Sequence, residues 1–401
     1  MLESLHAGLT GLMTFARGLN NVSANVANLN TPGFKRSVLQ FRDLSYYHDS
    51  LGTGTGSGVD AGRSSILFNQ GELRQTGNQQ DAALDGNGFF IVRKDGKQFY
   101  TRAGQFELDR DGFLATRDTG ARVAVLKDGG QLSDFSVAPL RVSAPASTTL
   151  VKLEGNLSAA DADRTHAISD IAVHDGSGRS HMLKATFSAS SNGSGSMAQR
   201  GWQVTLKDQA DATVASGEIR FDGAGSPEAG FDKLAFDYAP AGAEAQHIVF
   251  DFGDPGKFAG LTGFTSGADS SARLLSADGR AAGTMTGLTY DADGYIVLNY
   301  SNGQTDKAGR LALAWFDFLP DLDAEGDNVY VNGSDREPVV GSPGTSLFGK
   351  LAAGSIEASN VDLTGQFSEL IVIQRGYQAS SQIVTAANEM IQQAFDMRGK
   401  H

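Results

Sequence analysis

The sequence predicts a mainly β protein with α-helical termini: two β-domains, one inserted in the other, plus N- and C-terminal helices paired as a coiled-coil-like rod. Three observations predict it. Apolar residues recur at helical spacing only at the two ends, and short β-rich runs alternate with Asp-Gly and Asn-Gly turns between them. The 401 residues also include 50 glycines and only 9 prolines, which implies many tight turns and few rigid linkers. A chain of this length exceeds the size at which one core usually stops growing, so more than one domain is expected.

The first element is a helix. Leu2, Leu5, Leu9, Leu12, Ala16, Leu19, Ser23 and Val26 lie alternately three and four residues apart, an a/d stripe sustained over more than three heptads. Pro32 disfavours a helical Thr31 and Gly33 permits a left-handed turn, so the helix should end near Asn28–Gly33. Residues 31–84 read as a linking segment with extended and Gly-rich portions. Within it, Gly52-Thr53-Gly54-Thr55-Gly56-Ser57-Gly58 reads as flexible.

The middle is all-β. Phe89–Val92, Gln203–Leu206, Ile248–Phe250 and Tyr295–Leu298 are strand-like, and Asp95-Gly96, Asp111-Gly112, Asp128-Gly129, Asp278-Gly279, Asp293-Gly294 and Asn302-Gly303 offer the positive φ of hairpin turns. Small residues near 143–148 and 281–283 interrupt the pattern. They delimit an inserted outer β-domain, 145–284, within a discontinuous middle β-domain, 85–144 with 285–359.

The last element is a second helix. Ser359-Asn360-Val361-Asp362 has capping-box spacing, and Phe367, Leu370, Tyr377, Val384 and Ile391 follow at helical intervals, with Ile373, Ala387 and Ala394 in a second register. Gly365 and Gly376 are its weak points. Residues 1–30 with 360–401 then form a terminal helical polymerisation domain.

The remaining features exclude more than they suggest. A net charge of -13 repels nucleic acid phosphates and anionic lipid, and the absence of Cys removes disulfides, thiolate nucleophiles and Cys-ligated metals. The start lacks the pattern of a cleaved secretory signal, and no apolar run approaches membrane-spanning length. Asp109–Gly112, Asp291–Gly294 and Asp321–Gly326 resemble calcium loops superficially. Counting from Asp321 puts Asn332 at the twelfth position, where an EF-hand needs Glu, so plain turns are expected. The seven histidines show no metalloenzyme spacing, although His174 and His181 can meet across a hairpin. No nucleophile elbow or phosphate loop is present, and nothing singles out a carboxylate pair. No catalytic, metal or cofactor-binding residue is assigned and no enzyme is expected.

What remains is surface. Two long amphipathic helices need neighbouring copies to cover the apolar area they do not bury on each other, and contacts between unlike faces propagate as helical filaments. The expected polymerisation interface is Leu5, Leu9, Leu12, Leu19 and Val26 with Phe367, Leu370, Tyr377, Val384 and Ile391.

Asn21 to Arg36, which contains Asn25, Asn28, Thr31, Pro32, Gly33, Phe34 and Lys35, resembles the N-terminal signature of flagellar rod and hook proteins. Asn360-Val361-Asp362-Leu363 and Gln374 to Ala379 resemble their C-terminal signature. Tyr300–Gln304, Gly341–Thr345 and the length are more similar to the hook members. The resemblance implies a curved, flexible, self-assembling tube that acts as a universal joint, passing motor torque to the filament. It implies the extracellular hook as location and export, uncleaved, through the flagellar type III apparatus. It also implies contact with the distal rod protein, the hook cap and the hook–filament junction protein. The alternatives are a distal rod subunit and, from another class, a secreted β-rich carbohydrate-binding protein or enzyme.

Overall fold

A computed structural model describes residues 2–44, 46–48, 54–56, 58–127, 129–158, 165–190, 201–240, 242–265, 269–345 and 347–398. The first helix, α1, runs Leu2–Ala27, and the second, α2, runs Leu363–Arg398. Most of what lies between is strand. Two compact units emerge, one of residues 1–140, 287–298 and 306–401, the other of 141–286 with 299–305; the expected insert, 145–284, lies inside the second.

In the first unit α1 and α2 pack antiparallel, with Gly8 against Val384 and Asn25 bonded to Gln366. The α1 face that meets α2 is not the leucine stripe. It is Gly8, Gly11, Thr14, Gly18, Val22 and Asn25, all buried, while Leu9 is exposed and Leu5, Leu12, Leu19 and Val26 are half-buried. The reason is distance between backbones. A methyl group on Gly8 would fall 2.9 Å from Val384 Cγ2, and one on Gly11 would fall 2.7 Å from Ser380 Oγ. On α2 the matching positions are Gln366, Ile373, Ser380 and Ala387, seven apart and buried. Gly376, expected to weaken this helix, instead accommodates the Phe15 ring, which a Cβ there would meet at 2.5 Å.

Two strands, Ser37–Asp43 and Val59–Ile66, pair antiparallel and pack on α1, where Thr14 donates to the Val59 carbonyl. Part of the expected flexible stretch is also strand, since Gly54–Gly56 pairs with Tyr46–His48; residues 51–53 and 57 lie outside the described ones. The body of the unit is an antiparallel sheet centred on Phe89–Lys94, Lys97–Thr101 and Arg122–Leu126. Its core includes Phe89, Ile91, Tyr100, Ala314 and Tyr330.

The second unit has its own core between a four-stranded antiparallel sheet over 165–220 and a mixed sheet in which Leu150–Asn156 pairs in parallel with Gln246–Asp251. Trp202, Phe187, Phe250 and Phe252 fill it.

The turns follow the Asp-Gly pattern with two differences. Gly96, Gly112, Gly129, Gly294 and Gly303 have positive φ, whereas Asp278-Gly279 does not. The Asp278 carboxylate instead accepts the Thr149 and Leu150 N–H groups, joining two strands. A further tight turn, Asp327-Asn328, has φ of 48° and 56° without any glycine. Asp128 lies outside the described residues.

Candidate functional site

The helix pair is attached to the sheet body by a polar joint in which the two signature segments meet Leu67–Gly71, Arg102 and Glu357. α1 ends as Asn28 donates to the Ala24 carbonyl (2.9 Å) and accepts the Thr31 hydroxyl (3.1 Å). The chain then turns at Gly33, φ 72°, where any side chain would strike Ala103 N at 2.5 Å. The Gly33 N–H donates to the Glu357 carbonyl (2.8 Å), the Pro32 carbonyl accepts from Asn328 (3.3 Å), and Phe34 donates to the Thr31 carbonyl (3.3 Å).

Lys35 enters the interior beside Glu357, and neither side chain touches solvent. The Lys35 ammonium also donates to the Asn69 carbonyl (2.8 Å), while Glu357 accepts the Gly71 N–H (2.8 Å) and the Arg102 guanidinium (3.3 Å). Burial lowers the Lys35 and Arg102 pKa values, and the Glu357 charge offsets this only in part. Burial likewise pushes the Tyr330 phenol up. A charge removed from water this completely needs its partner, so the three groups act as one unit.

Asn360 bridges the two termini: it accepts the Arg36 N–H (2.7 Å) and donates to the carbonyls of Leu67 (2.7 Å) and Asn69 (2.9 Å). Val361 is buried. Asp362 caps α2, its carboxylate accepting the Thr364 N–H (3.1 Å), and Leu363 is the first helical residue. The cap is therefore Asp362 itself and not Ser359, whose hydroxyl accepts the Val361 N–H. Asn25, buried on α1, donates to the Ser37 carbonyl and to Gln366 on α2, both at 2.8 Å, so one amide fixes α1, the following strand and α2 together.

The expected interface residues fall on faces outside this joint. Phe367 and Tyr377 are exposed, and Leu370, Val384 and Ile391 are half-buried. Sequence reasoning missed Glu357, Arg102 and the glycine stripe of α1. Small residues three and seven apart were the available signal for the stripe; Glu357 has none, because its partners are remote in the chain.

Elsewhere two of the three carboxylate-rich segments are turns, whereas the third, expected to be a turn, is the strand Leu322–Gly326, paired with Val329–Asn332. Asp109 accepts the N–H groups of Asp111 and Phe113, and Asp291 those of Asp293 and Tyr295. His174 faces Ser180, not His181, and His181 instead approaches Asp175 (3.1 Å). The Ser177 hydroxyl and His181 hold the Asp175 carboxyl well below the usual range. Among the described residues no cluster of three or more His, Asp or Glu is placed to hold a metal, and no helix is long and apolar enough to cross a membrane.

The two signatures meet in one joint, and both are what the comparisons recognise. Residues 5–35 match the flagella basal body rod protein family, 83–159 the flagellar hook protein FlgE/F/G D1 domain, and 352–397 the flagellar basal body rod FlgEFG protein C-terminal family. The chain belongs to the flagellar rod and hook protein family. It is 28% identical to the flagellar hook protein FlgE of Escherichia coli, over 97% of this chain and 98% of that one. With the flagellar hook protein FlgE of Treponema pallidum it shares 27% identity over 99% of this chain and 100% of the relative. The crystal structure of Helicobacter pylori flagellar hook protein FlgE2 is similar in fold, with a TM-score of 0.51 at 14% identity, covering 71% of this chain and 100% of that one. For this rod and hook family member, the matched terminal segments are the ones that build the joint.

Proposed function

We propose that this chain is a structural subunit of the bacterial flagellar hook, polymerising through α1 and α2 into a curved tube that passes torque from motor to filament. One observation carries the reading: both helices keep apolar side chains in solvent on the faces turned away from each other, while their ends are fixed to the sheet body by a buried joint. Such a pair is positioned but not completed. Copies that cover these faces by unlike contacts extend as a helical polymer.

The work done is mechanical. The helix layer supplies stiffness in twist, and glycine-rich β surfaces supply bending by sliding past one another. On the family resemblance, the polymer meets the distal rod protein, the hook cap and the hook–filament junction protein. Its subunits pass uncleaved through the flagellar type III apparatus to an extracellular hook.

Electron microscopy of the concentrated protein tests this. Curved tubes are expected; straight rigid tubes would make it a distal rod subunit, and no polymer at any concentration would overturn the assembly reading.

A further inference from the structure

We propose that a second copy of this chain docks the tip of its Lys94–Lys97 hairpin into an acid-rimmed cleft of the first. This head-to-tail contact adds to those of the helices, and the proposal rests on the assembly reading above.

The cleft has a volume of about 980 Å³. Phe68 and Leu322 are among its apolar lining, and Asp118, Asp323 and Asp327, all exposed, line it as well. Lys35 and Arg63 also line it. Lys35 shares the Glu357 carboxylate with Arg102, and Arg63 is the other cation lining the cleft beside the three carboxylates. Among the described residues no ion pair engages Asp118, Asp323 or Asp327. Such a site attracts a small basic projection.

The same unit carries one. Asp95 and Gly96, φ 51° and 75°, close a tight turn between Phe89–Lys94 and Lys97–Thr101. Lys94 and Lys97 are exposed and directly opposite each other in the register. Like charges placed so are unfavourable within the chain, and carboxylates from outside would relieve them. Arg93 and Arg122 lie behind, sharing the single carboxylate of Asp134 at 3.1 and 3.6 Å. With Asp95 in the turn itself, four cations stand against the two carboxylates of Asp95 and Asp134 at this tip.

The basic turn and the Asp327-Asn328 wall of the cleft lie at opposite ends of one strand, while Asp118 is two residues from Gly120, which flanks the basic turn. Val329 pairs with Thr101 and Tyr330 with Tyr100, so the Asp327-Asn328 turn lies beyond Thr101, whereas the basic turn lies beyond Lys97. The rigid hairpin holds its tip away from the Asp323 and Asp327 wall of its own cleft. A contact between unlike ends of two copies propagates instead of closing a dimer, which is the geometry a filament needs. A hairpin tip alone buries far less than the roughly 800 Å² per partner of a stable interface, so this contact sets register and salt dependence and cannot drive assembly by itself.

The test compares critical concentrations for polymerisation, read by sedimentation, at low and high salt. Lys94→Glu with Lys97→Glu should raise the critical concentration roughly three- to tenfold at low salt, and so should Asp118→Lys with Asp323→Lys. High salt should shrink both effects, and the chain carrying all four changes should regain most of the loss. Lys94→Gln with Lys97→Gln should give a smaller shift in the same direction, which covers a reversal that fails to fold. Unchanged critical concentrations in the hairpin variants, or a fourfold variant worse than either pair, overturn this contact while leaving the assembly reading intact. A wild-type chain that forms no polymer overturns both.

Discussion

In the second unit Trp202, Phe187, Phe250 and Phe252 are all but removed from solvent between two sheets, whereas on α2 Val372 keeps 67% of its surface exposed, Phe395 68% and Met397 71%. Both regions are rich in large apolar side chains. The sheets cover each other within one chain, because strands from 150 to 277 supply both faces of the layer. The helices cover each other only along a narrow stripe in which the glycines of α1 admit Ile373 and Ser380 of α2, and most of the larger side chains stay outside it. The difference separates a part that is finished on folding from a part that, on the proposed reading, is finished on assembly.

The sharpest way to break this comparison is a charge on the open helix faces. Leu12→Asp or Leu370→Asp should abolish polymerisation, since a carboxylate buried without a partner costs several kcal/mol in every copy. Calorimetry should show the β units unfolding as in the parent, and normal tubes from either variant would mean that these faces are not the assembly surface.

A change in the joint should act on the monomer instead. Glu357→Ala leaves Lys35 and Arg102 buried without their carboxylate, and about 3–5 kcal/mol of first-unit stability should be lost in denaturant titration. The second unit should not respond. A smaller effect is expected from Gly11→Val, which forces α1 away from Ser380. A cost of about 1–3 kcal/mol should appear as a raised critical concentration, with the β transitions unmoved.

The subtlest prediction concerns alkaline pH. With the folded Lys35 pKa below its usual 10.5, the unfolded chain binds more protons between the two values, so stability should rise with pH there. Burial pushes the Tyr290 and Tyr330 phenols up, so their contribution is present below their usual 10.0 and declines above it. Denaturation midpoints should therefore climb toward pH 10 and then fall, and Lys35→Met should flatten the climb. Tyr290→Phe should soften the fall with little effect at neutral pH, because the buried Tyr290 hydroxyl has no hydrogen-bond partner among the described residues.

Both terminal helices were legible because periodicity is local, and Pro32 and Asp362 mark their ends within a few residues. The partner of each face was not. Leucines at a/d spacing announce an apolar stripe but not what covers it, and here the cover on α2 goes to Gly8, Gly11 and Gly18, which hydropathy ignores. The joint was legible only as a pair of signatures. That Lys35 should meet Glu357, 322 positions away, depends on the fold between them. The Asp327-Asn328 turn escaped for a different reason: it takes two left-handed residues without the glycine that usually marks them.

The register of the helix pair fixes one more property. Gly8 faces Val384, and six residues of α1 precede this point while fourteen of α2 follow it. About eight residues of α2, some 12 Å, extend past the end of α1. This overhang bears the exposed Phe395 and Met397, and on the assembly reading proposed above a neighbouring copy covers it as a lap joint. A lap joint loads its contact in shear along the helix axis, where many side chains share the force, and not in peel, where they would yield one at a time.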